Sequence, residues 1–154
     1  MNTVKQDSSE WAEGLNLMAG PYFLGLYQPS PETKGFWEGV SRHELLLKWC
    51  SACQRAHHPK RIVCTGCGSA DLSWQRSSGR GKVYSFSEVH HVADKAFMAS
   101  VPYTIGLVAL DEGVYLLSRL LSELGPIAID QLVRLDFQVL ESGRLLPVFK
   151  VGRS

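Results

Sequence analysis

All four cysteines of this chain fall inside one stretch, CSACQRAHHPKRIVCTGC, as two Cys-x-x-Cys pairs, Cys50 with Cys53 and Cys64 with Cys67, separated by ten residues. Each pair sets two thiolates in a tight knuckle where backbone N–H groups can point at sulfur, and two knuckles close a tetrahedral site around one metal ion. The spacing therefore predicts a zinc ribbon with Cys50, Cys53, Cys64 and Cys67 as ligands. Iron in a rubredoxin-like site uses the same four ligands, and zinc is the preferred reading. Disulfides are the competing use of four cysteines. However, the opening MNTVKQDSSEWAEG is polar and acidic and does not read as a secretory signal, so a reducing cytoplasmic setting is expected.

A catalytic zinc keeps one position open for water or substrate, whereas four cysteines fill the tetrahedron. The metal is thus expected to be structural, and its binding, worth roughly 10–16 kcal/mol in small zinc modules, folds a segment too short to own a core. His57 and His58 are then loop residues between the knuckles.

A length of 154 residues suits one well-cored domain, or a smaller module with a zinc-stapled appendage. No run of 18 or more apolar residues appears, which argues against a membrane span. Net charge is +1, but residues 45–82 carry seven Lys/Arg against one acid. That clustering raises nucleic-acid binding as a possibility to test. A zinc ion with four thiolates has a formal charge of about −2, which Lys48, Arg55, Lys60 and Arg61 are placed in sequence to offset. A modest patch remains rather than a nucleic-acid groove. Arg76, Arg80 and Lys82 are left to meet a phosphate or an acidic partner, or simply to be solvated.

The first 35 residues hold GPYFLGLYQPSPETKG, whose prolines and glycines break any long helix, with one short helix predicted around 11–18. A second helix is predicted over 35–43, where Phe36, Trp37 and Val40 share a face, and ELLLKWC reads as a short strand. Beyond the Gly/Ser turn SSGRG the texture is that of strands. KVYSFSEVHHV alternates. PYTIGLVALD and VYLLSRLL are joined through Asp111-Glu112-Gly113, and LVRLDFQVL and LLPVFKV through Glu141-Ser142-Gly143-Arg144. Two hairpins plus a leader, with an irregular crossing at 122–131, fit a small closed barrel such as an OB-fold. The expected fold is mainly β, with a helical arm at 1–43, a four-cysteine zinc ribbon at 44–76 and a five-stranded OB-fold barrel at 77–154.

No self-sufficient catalytic centre emerges from the sequence. His90 and His91 are adjacent on a predicted strand and face opposite sides, Asp94 has no partner identifiable from spacing, and SSGRGK lacks P-loop spacing. Tyr84 and Phe86, two apart on one strand face, suit a barrel interior better than a base-stacking platform. Trp11, Tyr22, Phe23, Phe36 and Trp37 crowd into the irregular arm and are expected to mark a partner surface.

Taken together, FWEGV, the two knuckles ending in CGS, SGRGKVYSF, VPYTIGLVALDEG and LLPVFK resemble the zinc-ribbon/OB-fold accessory proteins associated with thiolases and thiolase-like acyltransferases, over about 36–150. The resemblance implies that helix and ribbon pack on a thiolase-like subunit and that the barrel helps form or cover the path of an acyl-CoA. It assigns zinc to Cys50, Cys53, Cys64 and Cys67 and nothing to catalysis. Gln54 stands where the first knuckle often has glycine, and His57-His58-Pro59 replaces the more usual aromatic-proline. The expected function is a non-catalytic accessory subunit of a thiolase-like acyltransferase complex. The alternatives are a single-stranded nucleic-acid-binding OB-fold protein and an acyl-CoA-binding subunit of an aldolase or hydratase complex.

Overall fold

The computed structural model describes residues 30–91, 101–123, 125–139 and 145–152. The helix predicted at 11–18, the arm aromatics Trp11, Tyr22 and Phe23, Asp94 and the turn at 141–144 lie outside the described residues.

The helix predicted at 35–43 is α1, Lys34–Ser41, and it buries Phe36, Gly39 and Val40. Gly39 is needed there because a Cβ would stand 2.6 Å from Leu46 Cγ. The helix ends when Arg42 and His43 donate their N–H groups to the Gly39 and Val40 carbonyls. His43 adopts φ 60°, which turns the chain into the first strand. Phe36 is 6% exposed, so it is a core residue and not part of an open aromatic surface.

The ribbon is a three-stranded antiparallel sheet of β1 (Leu46–Cys50), β2 (Arg55–His57) and β3 (Leu72–Arg76), in the order β2-β1-β3. Its central strand delivers Cys50 to the end where the four cysteines gather. The barrel follows as β4 (Arg80–Val89), β5 (Tyr103–Leu110), β6 (Tyr115–Ser122), β7 (Leu132–Val139) and β8 (Leu145–Val151). Strands close in the order β4-β5-β6-β8-β7, with β7 returning to β4. β6 and β8 run parallel and every other barrel pair is antiparallel. This is the five-stranded OB-fold topology expected from two hairpins and a leader. His90 and His91 fall just beyond the end of β4.

The alternation of β4 breaks at a bulge. Val83 pairs with Val108 and Ser85 with Leu107, which leaves Tyr84 as the extra residue. A bulge interrupts the ladder and re-aims side chains. Val83 is fully buried while Tyr84 is 56% exposed and Phe86 40%, so neither ring lines the barrel interior as expected. Phe149 does, at 1% exposure.

One apolar cluster runs through both parts. Phe36 and Val40 from α1 and Leu45 and Leu47 from the ribbon pack with Val83, Val108, Leu116, Val133 and Phe149 of the barrel. The ribbon is therefore held against the barrel by buried hydrocarbon as well as by the chain connection. No helix among the described residues is long and apolar enough to cross a membrane.

Candidate metal centre

The two knuckles meet end to end. Cys50 Sγ lies 3.6 Å from Cys67 Sγ and Cys53 Sγ lies 3.3 Å from Cys64 Sγ, and all four sulfurs are within 4.8 Å of one another. Sulfurs bound to one zinc ion at about 2.3 Å would stand roughly 3.8 Å apart, so the donor set fits a tetrahedral ion. All four cysteines are free thiols, not disulfides. Cys50 and Cys64 are buried while Cys67 is exposed, which places one edge of the site at the surface.

The turns that follow the knuckles make this convergence possible. Gly68 adopts φ 74° after the second pair and Gln54 adopts φ 57° after the first. A left-handed residue is required at both places. This accounts for the glycine usual at position 54, and Gln54 steadies itself there by donating its side-chain amide to the Ser51 carbonyl at 2.8 Å. Gly66 donates its N–H to Cys64 Sγ at 3.3 Å. Burial works to raise the Cys64 thiol, but the N–H groups of Cys67 and Gly66 and the Cys53 thiol outweigh it and bring it down to about 5. Cys53 is pushed up to about 12, first by its hydrogen bond to Cys64 and then by burial. The pair thus shares a proton that a metal ion would displace.

The basic residues divide. Arg55 reaches the second knuckle, its Nη1 being 2.9 Å from where a Gly66 Cβ would stand. Lys48 does not serve the site as sequence proximity suggested, because its Nζ lies 4.1 Å above the Trp74 ring. Two of the three cations read as free at the ribbon-to-barrel junction are engaged: Arg76 lies 3.8 Å from Glu44 and Arg80 lies 3.4 Å from Asp111.

The histidines also separate. His57 ends β2 and is 7% exposed, with its Nε2 buried and lacking a hydrogen-bond partner among the described residues. His58 accepts the Lys60 backbone N–H on Nδ1 at 3.2 Å. Burial, then Lys60 and Arg61, hold the His58 imidazole below its ordinary range.

Two features had no signature in the sequence. Tyr84 on β4 and Tyr115 on β6 form an exposed edge-to-face pair with ring centroids 4.9 Å apart. Glu112, in a triplet predicted only as a turn, accepts hydrogen bonds from Ser77 Oγ at 3.0 Å and the Ser78 N–H at 2.6 Å, fastening the ribbon-to-barrel link. Both contacts join residues far apart in the chain, so neither could be found from spacing.

Two family models match along the chain: the rubredoxin-like zinc ribbon domain of ChsH2 over residues 37–73 and the C-terminal OB-fold domain of ChsH2 over residues 74–138. A DUF35 domain-containing scaffold protein of Methanothermobacter thermautotrophicus is 30% identical over 91 residues, 58% of this chain and 68% of that protein. Among solved structures, a chain of an Ltp2-ChsH2(DUF35) aldolase superposes with a TM-score of 0.71 at 32% identity, covering 80% of this chain and 98% of that one. The chain belongs to the ChsH2 (DUF35) family. A probable enoyl-CoA hydratase alpha subunit of Thermomonospora curvata is 36% identical over 121 residues, 75% of this chain. The present chain spans only 36% of that hydratase subunit's length. The zinc-ribbon/OB-fold family reached from the motifs is the one these matches support, and the ChsH2 (DUF35) ribbon model covers all four cysteines.

Proposed function

We propose that this chain is a non-catalytic, zinc-bearing accessory subunit of an enzyme complex that processes acyl-CoA thioesters. Cys50, Cys53, Cys64 and Cys67 hold one structural zinc ion in this reading, and their closed four-sulfur set supports it because no coordination position is left for substrate. When bound, zinc cross-links the two knuckles. The likeness that carries the assignment is to a subunit of an aldolase assembly, since 98% of that chain is covered at 32% identity.

The catalytic cysteine and bases belong to a thiolase-like partner, as the motif resemblance implies. The arm at 1–43, the ribbon at 44–76 and the barrel at 77–154 are assigned to docking, to metal-braced rigidity and to covering the acyl path. Free thiols support a cytoplasmic setting. Similarity to an enoyl-CoA hydratase alpha subunit supports a second reading, in which the partner is a hydratase.

Co-expression with thiolase-like and hydratase-like proteins from the same source, followed by size-exclusion chromatography and acyl-CoA assays, tests this. Co-elution with the thiolase-like protein, and loss of that protein's activity when this chain is omitted, are expected. A partner that is fully active alone and never associates would sink the proposal. Association with the hydratase-like protein only would select the second reading.

A further inference from the structure

The two knuckles of the metal centre are not anchored alike. Cys50 is the last residue of β1, and its backbone is paired with β2 on one side and β3 on the other. Residues 64–67 belong to no strand. The Cys64 N–H donates to the Ser69 carbonyl and the Gly68 N–H to the Cys64 carbonyl, so the second knuckle closes on itself. Its last ligand, Cys67, is also the exposed one. Loss of an ion held by both knuckles is easiest through the one that no strand holds.

Arg55 spans the gap between them. Its backbone opens β2 directly opposite Cys50, while its side chain crosses to the second knuckle and lies over Gly66. Nη1 is 2.9 Å, and Cδ and Cζ are each 3.4 Å, from where a Cβ on Gly66 would stand. The Gly66 N–H in turn donates to Cys64 Sγ at 3.3 Å. One side chain thus covers the residue whose N–H points at a ligand.

The two glycines at the second knuckle are glycine for different reasons. Gly68 adopts φ 74° and a Cβ there would meet nothing within 4 Å, so its requirement is conformational. Gly66 has no left-handed φ, and what a Cβ there would meet is Arg55. Position 66 is therefore kept bare for the arginine. Charge points the same way. Four thiolates around a divalent ion leave a formal charge of about −2. Arg55 forms no ion pair with a carboxylate among the described residues, whereas Arg76 and Arg80 are paired with Glu44 and Asp111.

We propose that Arg55 is the zinc-retaining residue of this chain, a strap from the sheet across Gly66 that keeps the second knuckle closed on the ion and sets how slowly it leaves. The inference rests on the zinc reading above and adds the route of exit, through the second knuckle at the Cys67 edge. Arg55 acts through Gly66 and not as a ligand, which makes it a positioning residue.

The full chain loaded with zinc is mixed with a large excess of chelator, and release is followed with a chromogenic dye. Arg55→Ala is expected to speed release about tenfold, the low end of what outer-shell partners of metal ligands are worth. Gly66→Ala should do the same, because its methyl displaces the flexible end of Arg55. The double variant should be no faster than either single one, whereas two independent lesions would multiply to about a hundredfold. Lys48→Gln, a cation near Cys50 in sequence but committed to Trp74, should leave the rate unchanged. Cobalt(II) bound in place of zinc should give the same four-thiolate absorption in every variant, showing that the ligands still converge. Release from Arg55→Ala at the parental rate, multiplied effects in the double variant, or an equal acceleration in Lys48→Gln each overturns the strap. A parent chain that takes up neither zinc nor cobalt removes the metal reading beneath it, so the two failures are distinguishable.

Discussion

Position 54 illustrates how a single residue's backbone limits what the metal site tolerates. Gln54 must hold φ 57° for the first knuckle to close, a region where a β-branched side chain collides with its own backbone. Gln54→Val is expected to destabilise the ribbon by about 1–3 kcal/mol and to speed zinc loss to a chelator. Gln54→Gly exchanges the Ser51 hydrogen bond for a relaxed backbone and should stay within about 1 kcal/mol of the parent. Urea denaturation and chelator-release rates for the two variants check this, and equal effects would show that backbone conformation is not what governs the position.

At the scale of elements, the turn between β5 and β6 does more than reverse the chain. Asp111 pairs with Arg80 and Glu112 takes hydrogen bonds from Ser77 and Ser78, so one turn fastens the segment that joins ribbon to barrel. Burial works to raise the Glu112 carboxyl, but the N–H and hydroxyl of Ser78 and the hydroxyl of Ser77 outweigh it and hold the group below its ordinary 4.5. A carboxyl depressed on folding adds stability that is fully present above its unfolded value. That stability is lost as pH falls from there through the lower folded value. Glu112→Gln should cost about 1 kcal/mol at neutral pH, the group being half-exposed. It should also flatten the loss of stability below about pH 4.5, the ordinary carboxyl range. Thermal melts of both proteins from pH 3 to 7 measure the difference, and parallel curves would show that the clamp carries no weight.

For the whole molecule, the continuous cluster from Phe36 and Leu45 to Phe149 joins ribbon and barrel through one buried core, and the two are expected to unfold together. Leu45 is 1% exposed between α1 and β1, so Leu45→Ala leaves a cavity at the seam and should cost about 2–5 kcal/mol. Removing zinc should lower the melting temperature of the barrel as well as unfold the ribbon, because the two share buried surface. Far-ultraviolet dichroism and a zinc-release dye should then report one coincident transition. A barrel that melts unchanged after chelation would show that the seam transmits nothing.

Much of this architecture was legible in the residues alone. Cys50, Cys53, Cys64 and Cys67 named themselves by spacing, and they converge because a knuckle is a local structure set by a few adjacent dihedrals. The barrel strands and the tight β5–β6 turn followed from alternation and turn chemistry, which are also local. What lay beyond reach depended on register and on distant partners. Periodicity set Val83 and Tyr84 on opposite faces of β4, but only the folded barrel shows that Val83 points inward and Tyr84, the extra residue of the bulge, stays outside. The burial of Phe36, the commitment of Lys48 to Trp74 and the Tyr84–Tyr115 pair arise where elements far apart in sequence pack together. The sequence by itself determined the four-cysteine cluster, the strands and their order along the chain, because each is written in short-range pattern. Only the tertiary structure decided which faces are buried and which side chains meet across the ribbon and the barrel, because those depend on contacts that close over long loops.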